Sequence, residues 1–266
     1  MELFPALSAT NNPLQRIGFG DCGSVWGMAK WERYGYHDVD VVIKREDASP
    51  GRDIKYEAMI QRGIYGAARS LQLTSVPQVF HLIDQEDDKR WHDLLPVLPA
   101  GLGKCRTMIA ERITSVSRQA QLLLVEKYNR TPTRDRYIQA LSNGRYAHCL
   151  VHLYLGLRRT CDPDQPLQQP HRFSLRDFPL HADQMEELQL PCQEYAKAMG
   201  EALAMLHWQM KLCGTRVKFV LGARRGAVTM GMGAPLAEHS VWMLDFDLAR
   251  PIQANVSGLV LIARAF

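Results

Sequence analysis

A glycine-rich segment near the N-terminus restricts the folds open to this chain more than any other part of the sequence. Residues 16–25 read Arg-Ile-Gly-Phe-Gly-Asp-Cys-Gly-Ser-Val, which places glycines at Gly18, Gly20 and Gly23. Glycine lacks a side chain and tolerates positive φ, so a hairpin with this spacing can lay its backbone N–H groups against phosphate oxygens. The spacing G-x-G-x-x-G also occurs in turns that bind dinucleotides. The segments that follow must therefore decide whether this stretch is a phosphate-covering hairpin or a dinucleotide-binding turn.

Three charged positions follow the glycine segment in an informative order. Lys44 ends a strand predicted over 39–44, and Glu57 lies on the next predicted helix, from which it can reach back to Lys44. Asp245-Phe-Asp247 directly follows a second apolar strand. Each residue alone has an ordinary alternative, because Lys44 can be a solvated strand-end lysine, Glu57 a surface glutamate and Asp245 a capping aspartate. Their joint order after the glycine segment favours a common site.

Hydrophobic periodicity predicts a strand-rich N-terminal part and a mainly helical C-terminal part. Beyond the glycine hairpin, strands are predicted over 39–44, 76–80, 106–113, 217–221 and 241–244. Helices are predicted from Ile54 onward with a break at Gly63 and Gly66, and over 122–128, 146–155 and 195–210. Asp183 and Glu186 form a capping-box pattern, and a mobile glycine-rich stretch is expected over 222–233.

Composition excludes several classes of function. The chain has 266 residues, 46% of them apolar, and a net charge of only +4, so it can bury a full core and has no basic run that would call for nucleic acid. Six scattered cysteines show no paired spacing, which argues against a zinc site or a disulfide framework and favours a reducing, cytoplasmic setting. No segment has the length and apolarity of a membrane span or a signal peptide.

The order of these motifs resembles the protein-kinase-like superfamily, in which a glycine loop, a strand lysine, a helical glutamate and a metal-binding aspartate follow one another. The sequence Leu-Asp-Phe-Asp at 244–247 is more similar to the small-molecule branch, the aminoglycoside and choline kinases. The resemblance implies an α+β, bilobal kinase-like fold, with a strand-rich N-lobe over 1–113 and a mainly helical C-lobe over 114–266.

The same resemblance implies the residues of a nucleotide site. It assigns Lys44, Glu57 and Asp245 to the catalytic set, and Asp245 and Asp247 to Mg²⁺. The nucleotide-binding residues that it implies are Gly18, Gly20, Gly23, Lys44 and Glu111. The expected cofactors are ATP and Mg²⁺ without zinc, and the expected partner is a nucleotide or small metabolite, with a protein partner also open.

Residues 150–251 are also similar to a fungal family of unknown function that is often labelled a zinc finger protein. The similar stretches are Leu153-Tyr-Leu-Gly-Leu-Arg-Arg, Ser174-Leu-Arg-Asp-Phe-Pro-Leu, Asp183-Gln-Met-Glu-Glu-Leu, Ala202-Leu-Ala-Met-Leu-His-Trp, Phe219-Val-Leu-Gly and Trp242-Met-Leu-Asp-Phe-Asp-Leu-Ala-Arg-Pro. The chain lacks zinc-finger spacing, so the label does not describe its chemistry. The family continues past the position of Phe266, and the resemblance therefore implies a shortened C-terminus.

The residues that a kinase uses to orient its acceptor are missing from their usual place. A catalytic-loop aspartate and asparagine are needed there, but no aspartate lies between Asp183 and Asp245, and no asparagine lies between Asn143 and Asn255. By resemblance, Cys213 stands near the position of the aspartate and Lys218 near that of the asparagine. His207 and Trp208 are expected to be packing residues. Arg176 and Asp177 can form an ion pair that orders the chain, and a ligand-binding pair at the cleft is the alternative that stays open.

Three functions remain open at the level of the sequence. The first is a nucleotide- or small-molecule-binding pseudokinase, which the empty catalytic loop favours. The second is a small-molecule phosphotransferase with a non-standard base, for which Glu201 or Glu238 would have to fold into the cleft. The third is a kinase-like cleft adapted to other metabolite chemistry, such as cyclisation or isomerisation.

Overall fold

The protein is a mixed α+β structure in which two sheets and several helices enclose a cavity. A computed structural model describes residues 14–27, 41–48, 52–142, 148–159, 173–223, 236, 238–253 and 255–264. The strands are β1 (Gln15–Gly20), β2 (Gly23–Gly27), β3 (Val41–Arg45), β4 (Thr74–Ser75), β5 (Val79–Ile83), β6 (Thr107–Glu111), β7 (Val151–Tyr154), β8 (Phe178–His181), β9 (Lys218–Gly222) and β10 (Ser240–Leu244). The helices are α1 (Ile54–Ala68), α2 (Asp88–Leu94), α3 (Arg118–Tyr128), α4 (Arg134–Ser142), α5 (Ala182–Glu187), α6 (Cys192–Ala204) and α7 (Val256–Arg264). The predicted α+β class is confirmed.

The first sheet is antiparallel and has the strand order β1-β2-β3-β6-β5. Strand β6, which lies between β3 and β5, is buried along its whole length. Side chains alternate across a strand, so Ile109 packs with Trp91 of α2 on one face, whereas Met108 packs with Ala58 of α1 on the other. Helix α1 is thereby held against the sheet that carries the glycine hairpin.

Helix α1 continues through both of the glycines that were expected to break it. Its N-cap is Asp53, whose carboxylate accepts hydrogen bonds from the backbone N–H groups of Lys55 and Tyr56 at 2.8 and 3.1 Å. The predicted break at Gly63 and Gly66 is wrong, because α1 runs uninterrupted from Ile54 to Ala68. A mid-helix glycine costs roughly 1 kcal/mol relative to alanine, and the fully buried face of this helix offsets that cost.

The second sheet has the strand order β4-β10-β9-β7-β8 and occupies much of the C-terminal part. The helix predicted over 146–155 is wrong in its described portion, where Val151–Tyr154 forms β7 between a parallel neighbour, β8, and an antiparallel neighbour, β9. Its first three side chains are all buried. A short apolar run of this kind cannot be distinguished from a buried helix by periodicity alone.

The other predicted elements differ mainly in detail. Helix α6, followed by a π-helical turn at Met205–Gln209, confirms the helix predicted over 195–210, and α3 confirms the one over 122–128. The capping box predicted at Asp183 and Glu186 lies two residues earlier in the structure. His181 is the N-cap of α5, and the side-chain oxygen of Gln184 accepts from the backbone N–H of His181 at 3.0 Å. Most of the stretch over 222–233 lies outside the described residues.

The largest apolar core joins the two halves of the chain. It packs side chains of α1, α3 and α6 against the second sheet, around fully buried residues such as Leu124, Tyr195 and Phe246. This core fixes the position of β10, whose C-terminal end enters the cavity. In the part of the chain that the structure describes, no helix combines the length and apolarity needed to cross a bilayer.

Candidate functional site

A cavity of about 240 Å³ lies between the glycine hairpin of the first sheet and strands β7, β9 and β10 of the second. Its apolar wall includes Val25, Val42, Met108 and Ala110 from the first sheet, with Leu244 from the second. The remaining wall is rich in charged side chains from both sheets and from α1. The two sheets therefore form a cleft with an apolar side and a polar side, which is the usual arrangement of a small-molecule site.

The three glycines of the hairpin all line this cavity, but for different reasons. Gly23 has φ +146°, and a Cβ atom there would lie 1.8 Å from the carbonyl oxygen of Arg45, so the fold itself requires glycine. A Cβ atom at Gly20 would meet nothing within 4 Å. Gly20 is thus not required for packing, and its absent side chain leaves backbone accessible from the cavity.

Lys44 and Glu57 form a buried ion pair on the cavity wall. Nζ of Lys44 donates to Oε1 of Glu57 over 2.6 Å, and the Glu57 side chain is only 2% exposed. The cap at Asp53 starts α1 so that Glu57 lies in its first turn, facing β3. Burial raises the pKa of Glu57, although the Lys44 ammonium opposes that shift. Burial alone would lower the pKa of Lys44, but the carboxylates of Glu57 and Asp245 raise it above its usual value.

Asp245 lies directly after β10 and contacts two lysines. Its Oδ1 is 3.6 Å from Nζ of Lys44, and its Oδ2 is 2.7 Å from Nζ of Lys218. Burial would raise the pKa of Asp245, but the two ammonium groups hold it below its ordinary value. The backbone of Asp245 has φ +65°, a conformation that costs a non-glycine residue roughly 1 kcal/mol. The structure therefore brings together Lys44, Glu57 and Asp245, which are the three catalytic candidates from the sequence.

Asp247, the second predicted Mg²⁺ ligand, contacts a cation and a thiol. Its Oδ2 accepts a hydrogen bond from the guanidinium of Arg52 and another from Sγ of Cys22 at 3.3 Å. Arg52 also donates to Asp21 at the tip of the glycine hairpin over 2.9 Å. Among the described residues, no three His, Cys, Asp or Glu side chains converge closely enough to hold a metal ion. A metal ion bound to Oδ2 of Asp247 would have to displace Arg52.

Glu111 lines the cavity but also has a structural contact. Its Oε2 accepts from the backbone N–H of Gln78 at 3.0 Å, while its own N–H donates to the Gln78 carbonyl at 2.8 Å. These two bonds tie the end of β6 to the segment before β5. One carboxylate oxygen of Glu111 therefore has a structural role, because it binds the backbone of Gln78.

The structure adds His152, which the sequence interpretation did not name, and brings it together with Asp177 and Lys218. For Asp177 the sequence had left open an ion pair with Arg176 or a ligand-binding role, and Lys218 stood by resemblance near the position of the asparagine. His152 of β7, Asp177 before β8 and Lys218 of β9 all line the cavity. Nε2 of His152 lies 3.4 Å from Oδ1 of Asp177, so Asp177 faces this histidine across the cavity wall. No local pattern could have paired His152 and Asp177, because they come from different strands and β7 was predicted as a helix.

Several other candidates lie outside the cavity. Glu201 and Glu238, the alternative bases, do not line it, and neither does Cys213. The Cys213 thiol is buried, and although burial would raise its pKa, hydrogen bonds from Thr215 and from the backbone of Arg250 lower it. His207 is buried as expected for a packing residue, but Trp208 is 62% exposed.

The charges of the described cavity wall have an acidic surplus. The acidic side chains are Asp21, Glu57, Glu111, Asp177, Asp245 and Asp247, and the basic ones are Lys44, Arg112, Arg216 and Lys218. An anionic ligand would therefore meet a favourable field only near the lysines or together with a cation. Comparisons of the chain with protein-family models, with curated proteins and with solved structures found no match.

Proposed function

We propose that this chain is a kinase-like protein that binds a nucleotide in the cavity and lacks the usual catalytic-loop aspartate and asparagine. The observation that carries the proposal is the position of Lys44, which is held between Glu57 at 2.6 Å and Asp245 at 3.6 Å beneath the glycine hairpin. A lysine, a helical glutamate and an aspartate in this relation are the parts that a kinase uses to bind phosphates and metal.

The cavity has features that suit each part of a nucleotide. Its apolar wall, with Val25, Val42 and Met108, suits the flat face of a base. Beneath the hairpin, the Lys44 ammonium suits phosphate oxygens, and the backbone at Gly20 is not covered by a side chain. Mg²⁺ would supply the positive charge that the acidic wall calls for, with Asp245 and Asp247 as its carboxylate ligands.

A thermal-shift panel with ATP, ADP and GTP, each with and without Mg²⁺, tests the proposal. At 100 times Kd a ligand stabilises the folded state by ~2.7 kcal/mol, which should raise the Tm of a chain of this size by ~5–10 °C. The expected result is a larger shift with Mg²⁺ than without it. A panel with no shift at any nucleotide concentration up to the millimolar range would refute nucleotide binding.

Substitutions locate the binding in this cavity. Lys44→Met should reduce the nucleotide-dependent shift by removing the phosphate contact. Lys127→Met is the matched control, because Lys127 lies on α3 and contacts Glu187 outside the cavity. If both variants lose binding equally, or neither does, the nucleotide is not bound at Lys44.

A further inference from the structure

The carboxylate of Asp177 lines the cavity, although Asp177 lies outside the segment where a kinase has its catalytic loop. Asp177 precedes β8, and Lys218 begins β9, the strand on the other side of β7. His152 projects from β7 between these two neighbours and contacts Asp177 at 3.4 Å. Sheet topology thus gathers a histidine, a carboxylate and an ammonium group along one wall of the cavity.

The exposure of these groups separates their roles. The side chain of Asp177 is 66% exposed, whereas that of His152 is only 10% exposed. A ligand that enters the cavity can therefore reach the Asp177 carboxylate readily, while His152, which also lines the cavity, is largely covered and contacts Asp177. The contact with His152, followed by the charges of Lys218 and Arg176, lowers the pKa of Asp177 and keeps it ionised near neutral pH.

The backbone at this wall is also held in an uncommon conformation. Asp177 has φ +52°, and two other non-glycine residues that line the cavity, Arg216 and Asp245, have φ +60° and +65°. Such conformations concentrate at functional sites because the surrounding structure must hold them in place. The backbone at Asp177 and Asp245 is therefore held in this conformation by its surroundings.

We propose that Asp177 is the acceptor-side base of a phosphoryl transfer from the bound nucleotide, and that His152 positions it. This inference goes beyond nucleotide binding and rests on the proposed function. The acceptor for this base is a hydroxyl-bearing small molecule, since a carboxylate beside the cavity can accept a hydrogen bond from an O–H group and then take its proton. Lys218, paired with Asp245 at 2.7 Å, adds a positive charge at the position that the kinase resemblance assigns to the metal-binding asparagine.

The step balances without any further reagent. The acceptor oxygen attacks the γ-phosphorus of ATP, and the bond from that phosphorus to the bridging oxygen breaks with its electron pair remaining on ADP. The acceptor proton passes to Asp177 and then to solvent. A carboxylate with a low pKa is sufficient, because positioning and charge stabilisation supply most of the catalysis in phosphoryl transfer.

Slow hydrolysis of ATP, with water as the acceptor, is the probe reaction. The full chain is incubated with MgATP, ADP release is measured, and ATP binding is measured in parallel by calorimetry. Asp177→Asn should lower kcat for hydrolysis at least tenfold and leave the Kd for ATP unchanged. Asparagine tolerates the positive φ of this position, so the variant is expected to fold. Asp183→Asn, which alters a carboxylate that contacts Arg159 outside the cavity, should leave kcat unchanged.

His152 is tested as a positioning residue by a pair of variants. His152→Leu should lower kcat with little change in KM for ATP, and His152→Gln, which keeps an N–H donor, should recover most of the rate. Equal loss in both variants would overturn the positioning role. ATP binding without hydrolysis by the wild type, or undiminished hydrolysis by Asp177→Asn, would overturn the inference and leave the proposed function standing. Absence of ATP binding would overturn both.

Discussion

Nζ of Lys44 donates a hydrogen bond to Oε1 of Glu57 over 2.6 Å, and the second carboxylate oxygen of Glu57 is buried with no hydrogen-bond partner among the residues that the structure describes. Burial raises the pKa of Glu57, and the Lys44 ammonium is the contact that opposes this rise. The pair adds an ionic contact between α1 and the sheet that covers the cavity, beside the apolar packing of Ala58 on Met108.

Breaking the pair from the glutamate side should destabilise the fold. Glu57→Gln removes the charge that faces the Lys44 ammonium, and loss of one partner of a buried pair costs about 3–5 kcal/mol. Asp245 still neutralises Lys44 from 3.6 Å, so the expected loss is smaller, about 1–3 kcal/mol in urea unfolding at pH 7. The double variant Glu57→Gln/Lys44→Met should lose less than the sum of the single variants. Additive losses would show that the two groups do not interact.

The glycines of the hairpin should respond differently to alanine. Gly23→Ala puts a Cβ atom 1.8 Å from the Arg45 carbonyl oxygen at φ +146°, so the free energy of unfolding should fall by about 2 kcal/mol or more. Gly20→Ala meets no atom within 4 Å and should leave stability within ~0.5 kcal/mol. Gly20→Ala should instead weaken MgATP binding, because the methyl group covers backbone beneath the hairpin. Equal stability of the two variants would contradict this assignment.

Arg52 should compete with a metal for Asp247. Arg52→Ala removes the guanidinium that bridges Asp21 and Asp247, and the acidic surplus of the cavity increases. MgCl2 alone should then raise the Tm of Arg52→Ala more than that of the wild type. Arg118→Ala is the control, since Arg118 contacts Ser142 at the surface. An identical response to MgCl2 in all three proteins would mean that Asp247 is not a metal ligand.

His148 should make stability fall as the pH decreases. Burial, followed by the charges of Arg112 and Arg176, lowers the pKa of His148 from 6.5 to about 4 in the folded protein. The unfolded chain therefore binds a proton at higher pH than the folded one, and stability is lost progressively from about pH 6.5 down to about pH 4. His148→Gln should flatten the decline in urea midpoint between pH 7 and pH 5, whereas His92→Gln, at a position 89% exposed, should not. A slope unchanged in His148→Gln would contradict the assignment.

Local sequence was sufficient to predict that Lys44, Glu57 and Asp245 share a site. Lys44 and Glu57 lie on a strand and the helix that follows it, so their approach is set by one short connection and by the cap at Asp53. Asp245 could be placed because it ends an apolar strand and follows the other motifs in order. Neither inference required knowledge of which distant strands pair.

The pairing of His152 with Asp177 could not be predicted in this way. His152 lies in a short apolar run that also fits a buried helix, and for Asp177 the sequence left open both an ion pair with Arg176 and a ligand-binding role. Their contact depends on the parallel pairing of β7 with β8, for which no residue of either strand carries a local signal. The same limit applies to Asp247, whose partner Arg52 is far away in sequence.

The sequence by itself determined the glycine hairpin, the strand lysine, the helical glutamate and the absence of an aspartate or asparagine between the long helix and Asp245, because each is a matter of residue type and local spacing. Only the tertiary structure decided which carboxylates share the cavity and which cations hold them. These contacts depend on how the two sheets pack against each other, and that packing brings together residues that are far apart in the sequence. It is for this reason that Asp177 enters the site while Glu201 and Glu238 remain outside it.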